Sequence, residues 1–236
     1  MENSWTIVET TLPRRPLPPN SQREPIRTKR LVIRPVHEDD LAAYHELRSQ
    51  PETMTWIRFG SPDRDIDESK SVLQYFLSPT DTKRFLFGVF LASTGELIGE
   101  GGAHTLESSF CGWPEIGYRF RKEVWGQGYA TEFLRAFLEA WWNLPRSHAM
   151  LRVYSSSVDR RDGGLATERI CAHTDVDNIG SRKVLEKLGF IQFEEWTERY
   201  TQELRQDQSV TLVGYILSKP LDSTEASETA VNVNDT

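Results

Sequence analysis

Cysteine is rare in this sequence, and long apolar runs are absent. The two cysteines, Cys111 and Cys171, form no CxxC motif, and no Cys/His cluster has metal-ligand spacing. This argues against a disulfide framework and a structural metal, and it favours a reducing, cytoplasmic compartment. No stretch of about 18 apolar residues could span a membrane. The N-terminal MENSWTIVETTLPRRPLPPN also lacks the apolar segment of a secretory signal.

Positive charge is also in deficit. The 236 residues carry 28 Lys and Arg against 35 Asp and Glu, a net charge of −7. Four of the seven excess negative charges follow Lys219, so the rest of the chain carries only −3. A body this close to neutral has no global field that attracts a polyanion. Nucleic acid is therefore a poor candidate partner.

The pattern of the chain predicts one structured region between two polar ends. Residues 1–27 are proline-rich and residues 220–236 are acidic and polar, and neither end is expected to hold a fixed conformation. Residues 28–219 alternate strand and helix patterns, which predicts an α/β (α+β) domain with a mixed central sheet. Residues 143–167 include a possible strand, LRVYSSSV, but we interpret them as an insertion, with ERICAHT (168–174) as the next sheet strand.

Residues 115–142 predict a strand, a glycine-containing turn and an amphipathic helix. Alternation puts Ile116, Tyr118 and Phe120 on one strand face and Glu115, Gly117 and Arg119 on the other. On the helix, apolar residues recur every four positions, which is typical of core packing; they are Tyr129, Phe133, Phe137 and Trp141.

Gly126 and Gly128 precede that helix, where free N–H groups and the positive end of the helix dipole can bind an anion. A Cβ at either position would push a pyrophosphate away from the amides. The alternative is that the glycines only make a tight turn, since a short G-x-G is weak evidence. Because no Gly-Lys-Ser/Thr follows, nucleotide hydrolysis by a P-loop is disfavoured.

A second motif, DNIGSRKVLEKLGF (177–190), predicts another helix. Asn178 stands at its start as a possible cap, and Gly189 is the expected C-terminal stop. Ser181, Leu185 and Leu188 lie roughly a turn apart on one face.

These motifs, in this order after LVIRPV (31–36), resemble the GNAT superfamily of acyl-CoA-dependent N-acetyltransferases. The likeness covers roughly residues 31–218. It is greatest to the branch of bacterial ribosomal-protein N-terminal (RimJ/RimL-like) and small-amine acetyltransferases. The resemblance implies a sheet with splayed parallel strands, helices on both faces, and acetyl-CoA as co-substrate. It also implies direct transfer to a primary amine, on a small molecule or a peptide, by a monomer or homodimer.

The resemblance further implies that acetyl-CoA lies between the strands matching EIGYRF and ERICAHT. The pyrophosphate would meet the glycine-containing turn, Asn178 the pantetheine arm, and Ser181 the thioester sulfur. The expected cofactor-binding residues are Ile116, Tyr118, Phe120, Arg121, Gly126, Gln127, Gly128, Tyr129, Ala130, Thr131, Asn178 and Ser181.

The proton transfers are the open part of this interpretation. An alkylammonium, with a pKa near 10, must be deprotonated before it attacks the thioester. Glu115 is our first candidate base, and Glu100 and His104 follow. His173 is expected to face the core or the cofactor, with a catalytic role as the alternative. Leu185 stands where many superfamily members have a tyrosine acid, which leaves Ser181 or water to protonate the leaving thiolate. The alternative function is a non-catalytic acyl-CoA-binding module.

Overall fold

Two β-sheets and five α-helices form the framework of the computed structural model, which describes residues 5–57, 61–159, 165–199 and 208–220. The strands are β1 Trp5–Pro13, β2 Ile26–Arg27, β3 Leu31–Arg34, β4 Phe85–Leu91, β5 Leu97–Thr105, β6 Glu115–Phe120, β7 Arg146–Tyr154, β8 Arg169–Asp175, β9 Ile191–Arg199 and β10 Ser209–Ser218. The α-helices are α1 Leu41–Arg48, α2 Pro51–Met54, α3 Ile66–Leu73, α4 Tyr129–Trp142 and α5 Ile179–Lys187. Within these ranges no helix combines the length and apolarity needed to cross a membrane.

The main sheet has eight strands in the order β2-β3-β4-β5-β6-β8-β10-β9. Every neighbouring pair is antiparallel except β6 and β8, which run parallel in the middle of the sheet. The connection between these two strands includes α4, as parallel strands require a crossover. The predicted mixed sheet is confirmed, with ERICAHT as the next strand of the sheet after the central helix.

The apolar stripe of α4 closes the main core against one face of this sheet. Phe133, Phe137 and Trp141 are fully buried, and their rings contact one another at centroid distances of 6.0 and 6.2 Å. Ile116 and Phe120 of β6 belong to the same cluster. The four-residue spacing therefore predicts the packing of this helix correctly, and the packing fixes where its N-terminus lies.

The N-terminal segment differs from the expectation for residues 1–27. β1 pairs with β7 over nine antiparallel register positions, from Trp5 opposite Tyr154 to Pro13 opposite Arg146. Leu12 is buried at 5% exposure, and Leu17, beyond the strand, at 1%. The prolines that suggested disorder follow the strand, whereas WTIVETTL itself is rich in β-branched residues that favour strands. The prolines dominate the composition of residues 1–27 as a whole, and this hides the strand pattern of the first part of the segment.

The predicted insertion at 143–167 contains β7, which lies in the two-stranded sheet with β1 and outside the main sheet. The possible strand LRVYSSSV matches only the end of β7, because Ser155–Ser157 forms a 3-10 turn. Residues 160–164 of the insertion and residues 221–236 of the predicted acidic tail lie outside the described residues.

Candidate active site

The two parallel strands separate almost as soon as they meet. Their register holds a single pair, Glu115 opposite Cys171, supported by the Cys171 N–H donating to the Pro114 carbonyl at 2.8 Å. β6 stays paired with β5 as far as Phe120, and β8 stays paired with β10 as far as Asp175. Within the described ranges, each strand therefore has an edge facing the cleft that no other strand covers. We call this opening the β6–β8 cleft.

The start of α4 lies beyond the outer end of β6. Gly126 and Gly128 have φ angles of 73° and 81°, the left-handed region that L side chains rarely adopt. The bond from Glu132 N–H to the Gly128 carbonyl, 3.0 Å long, is the first of the helix. The amides of Tyr129, Ala130 and Thr131 precede it and so lack intrahelical acceptors. The turn thus ends in donors at the positive end of a 14-residue helix.

Arg30 holds this turn against the main body of the protein. Its Nη1 donates to the Gln127 carbonyl at 2.9 Å, its Nε pairs with Glu132 at 2.6 Å, and its guanidinium lies 4.1 Å from the Tyr129 ring centroid. The Gln127 side chain donates to the Glu123 carbonyl at 2.8 Å. These contacts fix the turn's backbone from the side that faces the protein.

The first turn of α5 brings a hydroxyl pair to the core side of the cleft. Asn178 caps the helix by accepting from the Ser181 N–H at 3.1 Å, which confirms the predicted cap. Ser181 Oγ lies 2.9 Å from the hydroxyl of Tyr118 on β6. Burial raises the pKa of Tyr118 to about 12, so the phenol keeps its proton at neutral pH.

Glu115 lies on the opposite face of β6, buried at 6% exposure. Its Oε1 is 2.9 Å from His173 Nδ1 and 3.3 Å from His104 Nε2, and its Oε2 accepts from the Ser108 hydroxyl at 2.6 Å. Burial by itself would raise the pKa of Glu115, but hydrogen bonds with the two histidines outweigh it and hold the pKa well below the usual range. This carboxylate is therefore charged at neutral pH.

Sequence reasoning brings Glu115 and His104 into one site but does not predict the two other partners of the carboxylate. His173 and Ser108 reach it from β8 and from the loop before β6. No local motif marks either residue. The parallel register of β6 and β8 brings His173 beside Glu115. A single sequence does not reveal which residues of two distant strands lie opposite each other.

Two other predicted site residues are occupied elsewhere. Glu100 is buried in an ion pair with Arg119 at 2.6 Å. Arg121 pairs with Glu46 at 2.8 Å and Glu96 at 2.9 Å, which directs its guanidinium toward α1 and the β4–β5 hairpin. Neither residue joins the Glu115 cluster or the turn before α4. Ile116 and Phe120 point into the core, so only their backbone borders the cleft.

Three aromatic rings gather beside His173. Phe110 stacks on Phe193 and Trp196, with centroids 6.1 and 5.3 Å apart, and meets the His173 ring edge-on at 5.1 Å. The rings converge over Gly214 of β10, where a Cβ would lie 3.0–3.2 Å from all three. We call these three residues the aromatic cluster; it is only partly buried and gives the Glu115 face an apolar surface. Across the described ranges, no group of three or more His, Cys, Asp or Glu side chains is arranged to hold a metal.

Comparison with protein families decides the assignment. Residues 30–191 match the model "Acetyltransferase (GNAT) domain", which covers more than half of the chain. The protein belongs to the GNAT acetyltransferase family. It is accordingly an N-acetyltransferase of the family that uses acetyl-CoA, and the RimJ/RimL-like resemblance inferred from the motifs is confirmed.

Relatives agree with this placement of the GNAT enzyme. "Uncharacterized N-acetyltransferase YoaA" of Bacillus subtilis (strain 168) is 28% identical over 166 residues, which cover 70% of this chain and 81% of YoaA. Spermidine N-acetyltransferase from Vibrio cholerae, solved with CoA and spermine, superposes with a TM-score of 0.59 at 18% identity, covering 81% of this chain and 97% of that one. Mycobacterium smegmatis RimJ, solved with CoA-disulfide, gives 0.57 at 19% identity, covering 85% and 88%. At these identities the two structures establish the fold alone.

In this GNAT enzyme Leu185, which stands where many superfamily members have a tyrosine acid, cannot donate a proton. Leu185 is buried at 1% exposure in the core beneath α5. A phenol nevertheless reaches the same helix, because Tyr118 projects from β6 onto Ser181. The hydroxyl pair is therefore built from two elements, whereas the sequence pattern left Ser181 or water as the proton donor.

Proposed function

We propose that this enzyme transfers an acetyl group directly from acetyl-CoA to a primary amine on the Glu115 face of the β6–β8 cleft. The single Glu115–Cys171 pair between the parallel strands is the observation that carries this proposal. Beyond that pair, two strands offer backbone donors and acceptors on facing edges. The amide-containing pantetheine arm can join such an edge as an added strand does.

The turn before α4 fits the donor's pyrophosphate. The amides of residues 126–131 lie at the positive end of α4, and glycine at 126 and 128 keeps side chains out of the approach. Asn178 Oδ1 is used in the cap, so its Nδ2 is the group available to the pantetheine arm. We give Arg121 no contact with the donor, because its guanidinium is already paired with two carboxylates.

The acceptor amine approaches over the aromatic cluster. Its ammonium, with a pKa near 10, must lose a proton to a base before the nitrogen can attack the thioester carbonyl. The apolar surface disfavours the charged form and favours the neutral amine that reacts. Both a small-molecule amine and a protein N-terminus fit this chemistry.

The leaving group departs toward the other face of β6. When the C–S bond breaks, CoA leaves as a thiolate and takes a proton from the Ser181 hydroxyl, which lies 2.9 Å from the Tyr118 hydroxyl. Ser181 regains a proton from the amine nitrogen. A backbone N–H on the uncovered edge of β6 would stabilise the oxyanion formed on the way, a contribution of about 3 kcal/mol in comparable sites.

Two measurements on the wild-type protein test the proposal. Acetyl-CoA should raise the melting temperature, because a ligand at 100 times its Kd stabilises the native state by about 2.7 kcal/mol. Free thiol should then be released with at least one member of a panel of alkylamines, arylalkylamines, polyamines and N-terminal peptides. The N-acetylated form of each active amine is the matched control and should release none.

The outcomes separate the alternatives. No melting shift with acetyl-CoA would contradict donor binding. A shift without thiol release across the panel would favour the non-catalytic acyl-CoA-binding module.

A further inference from the structure

The hydrogen bonds of Glu115 leave it poorly suited to act as the base itself. One carboxylate oxygen binds both imidazoles, the other accepts from Ser108, and the side chain is only 8% exposed. Protonating Glu115 would weaken the hydrogen bonds that favour its charged form. A carboxylate held this way is suited to fixing the orientation and tautomer of a neighbouring imidazole.

His173, unlike Glu115, is placed to act as the base. It lies on β8 two residues beyond the last pair with β6, on the wall of the cleft. Its Nδ1 is bound to Glu115 at 2.9 Å, so in the neutral ring Nδ1 carries the hydrogen and Nε2 is left as the acceptor. The side chain is 34% exposed, enough for a substrate to reach it.

The His173 ring is also held in orientation. Phe110 meets it edge-on at 5.1 Å, and Trp196 lies 6.0 Å away at an angle of 56°. With the carboxylate on one side and two aromatic rings on others, the imidazole cannot turn without losing contacts. A fixed ring and a fixed tautomer are what proton abstraction requires.

Of the other groups that face Glu115 and His173, His104 is the rival proton acceptor, and its side chain is 44% exposed against 34% for His173. His104 reaches the same Glu115 oxygen from β5, at the longer distance of 3.3 Å, and its other nitrogen lies over Gly117. Burial raises the pKa of the Cys171 thiol, which therefore stays neutral, and Cys111 is buried beside it. Across β10, Glu194 accepts from Ser156 at 3.1 Å.

We propose that His173 is the catalytic base and Glu115 its positioning residue, an assignment that rests on the proposed acetyl transfer. An N–H bond of the acceptor's ammonium breaks and an N–H bond forms at His173 Nε2, giving an imidazolium beside the Glu115 carboxylate. The neutral amine attacks the thioester, the C–S bond breaks, and a second amine proton neutralises the thiolate through Ser181. The imidazolium then returns its proton to solvent. An ammonium and acetyl-CoA thus become an acetamide, CoA thiol and one released proton.

The test is the pH dependence of kcat/KM with an amine found active in the thiol-release screen. His173→Asn should lower kcat/KM at pH 7.5 by about 100- to 1,000-fold, the usual contribution of a positioned base. Without the base only the neutral amine reacts, so kcat/KM should keep rising toward the amine's pKa near 10 and lose the plateau that the wild-type profile reaches at lower pH. His104→Asn should cost less and keep that plateau. Glu115→Gln should lower kcat more than it changes the KM for acetyl-CoA, because the imidazolium formed in the reaction loses its anionic partner.

Two controls separate catalysis from folding. His148→Asn changes an exposed histidine on β7 and should leave the profile as in wild type. His173→Ala should regain activity when imidazole is added to the medium, and all variants should keep the wild-type melting shift with acetyl-CoA. A His173→Asn rate within threefold of wild type, or loss of the plateau in His104→Asn instead, would overturn the assignment. Those results leave the proposed function intact, whereas its own failure appears earlier, in wild type.

Discussion

Alanine at Gly126 tests whether the turn before α4 binds the pyrophosphate or is merely a tight turn. Gly126 has a φ of 73°, and nothing lies within 4 Å of the position that a Cβ would take. The chain contains a matched control. Gly95, in the β4–β5 hairpin, has a φ of 75° and equally open surroundings.

Backbone strain should therefore be the same in the two variants. A non-glycine residue in the left-handed region costs about 1–2 kcal/mol. In a protein of this size, each kcal/mol lowers the melting temperature by about 2–4 °C. Gly126→Ala and Gly95→Ala should consequently show similar melting temperatures without ligand.

Affinity for acetyl-CoA should separate them. In Gly126→Ala the methyl group stands where the pyrophosphate approaches, and strain redirects the amides that would bind it. A loss of about 1.4 kcal/mol of binding corresponds to a tenfold higher Kd, and we expect at least that. Gly95→Ala should bind as wild type does. Titration calorimetry measures both, and a Gly126→Ala Kd within twofold of that of Gly95→Ala would refute the assignment of the phosphate site.

Three further predictions concern the core, the buried carboxylate and the hydroxyl pair. Phe137→Ala should lower the free energy of unfolding by about 3–5 kcal/mol in denaturant titrations, since it empties a fully buried site; a loss below 1 kcal/mol would contradict the packing. The lowered pKa of Glu115 means that its charge stabilises the fold above its unfolded pKa of about 4.3. That contribution fades as pH falls further, so the stability difference between wild type and Glu115→Gln should shrink below about pH 4, and a constant difference would argue against the shift. Tyr118→Phe removes the phenol that supports Ser181, and it should reduce kcat more than it changes the KM for acetyl-CoA; equal kcat in steady-state assays would exclude that role.

The parts of the fold that sequence predicts well are those determined by periodicity. The four-residue repeat in α4 and the alternation in β6 both depend on contacts with one side of a single element. Residues Phe133 and Phe137 are accordingly buried where the pattern puts them. β1 was missed because the prolines after it dominate the composition of the segment, and because its pairing partner, β7, lies more than 130 residues away in the chain.

The part of the site proposed to bind acetyl-CoA was predictable from the sequence, and the part proposed to bind the acceptor amine was much less so. Glycine at 126 and 128 and the helix after them are local features, and a short segment reveals them. The partnership of Glu115 with His173 depends on a register between strands from distant parts of the chain. Residue type alone makes Glu115 the stronger candidate for the base, because the sequence does not show which groups bind its carboxylate oxygens.

The pairing of β1 with β7 changes where the boundary of the folding unit lies. The family model begins at residue 30, but Leu12 packs in one cluster with Trp113 and Cys171, directly behind the point where β6 and β8 meet. A chain cut at the family boundary would lose that side chain and the strand that pairs with β7 in the described structure, and exposed strand edges invite association between molecules. The segment that packs as one unit in this enzyme therefore begins before the segment that the family model matches.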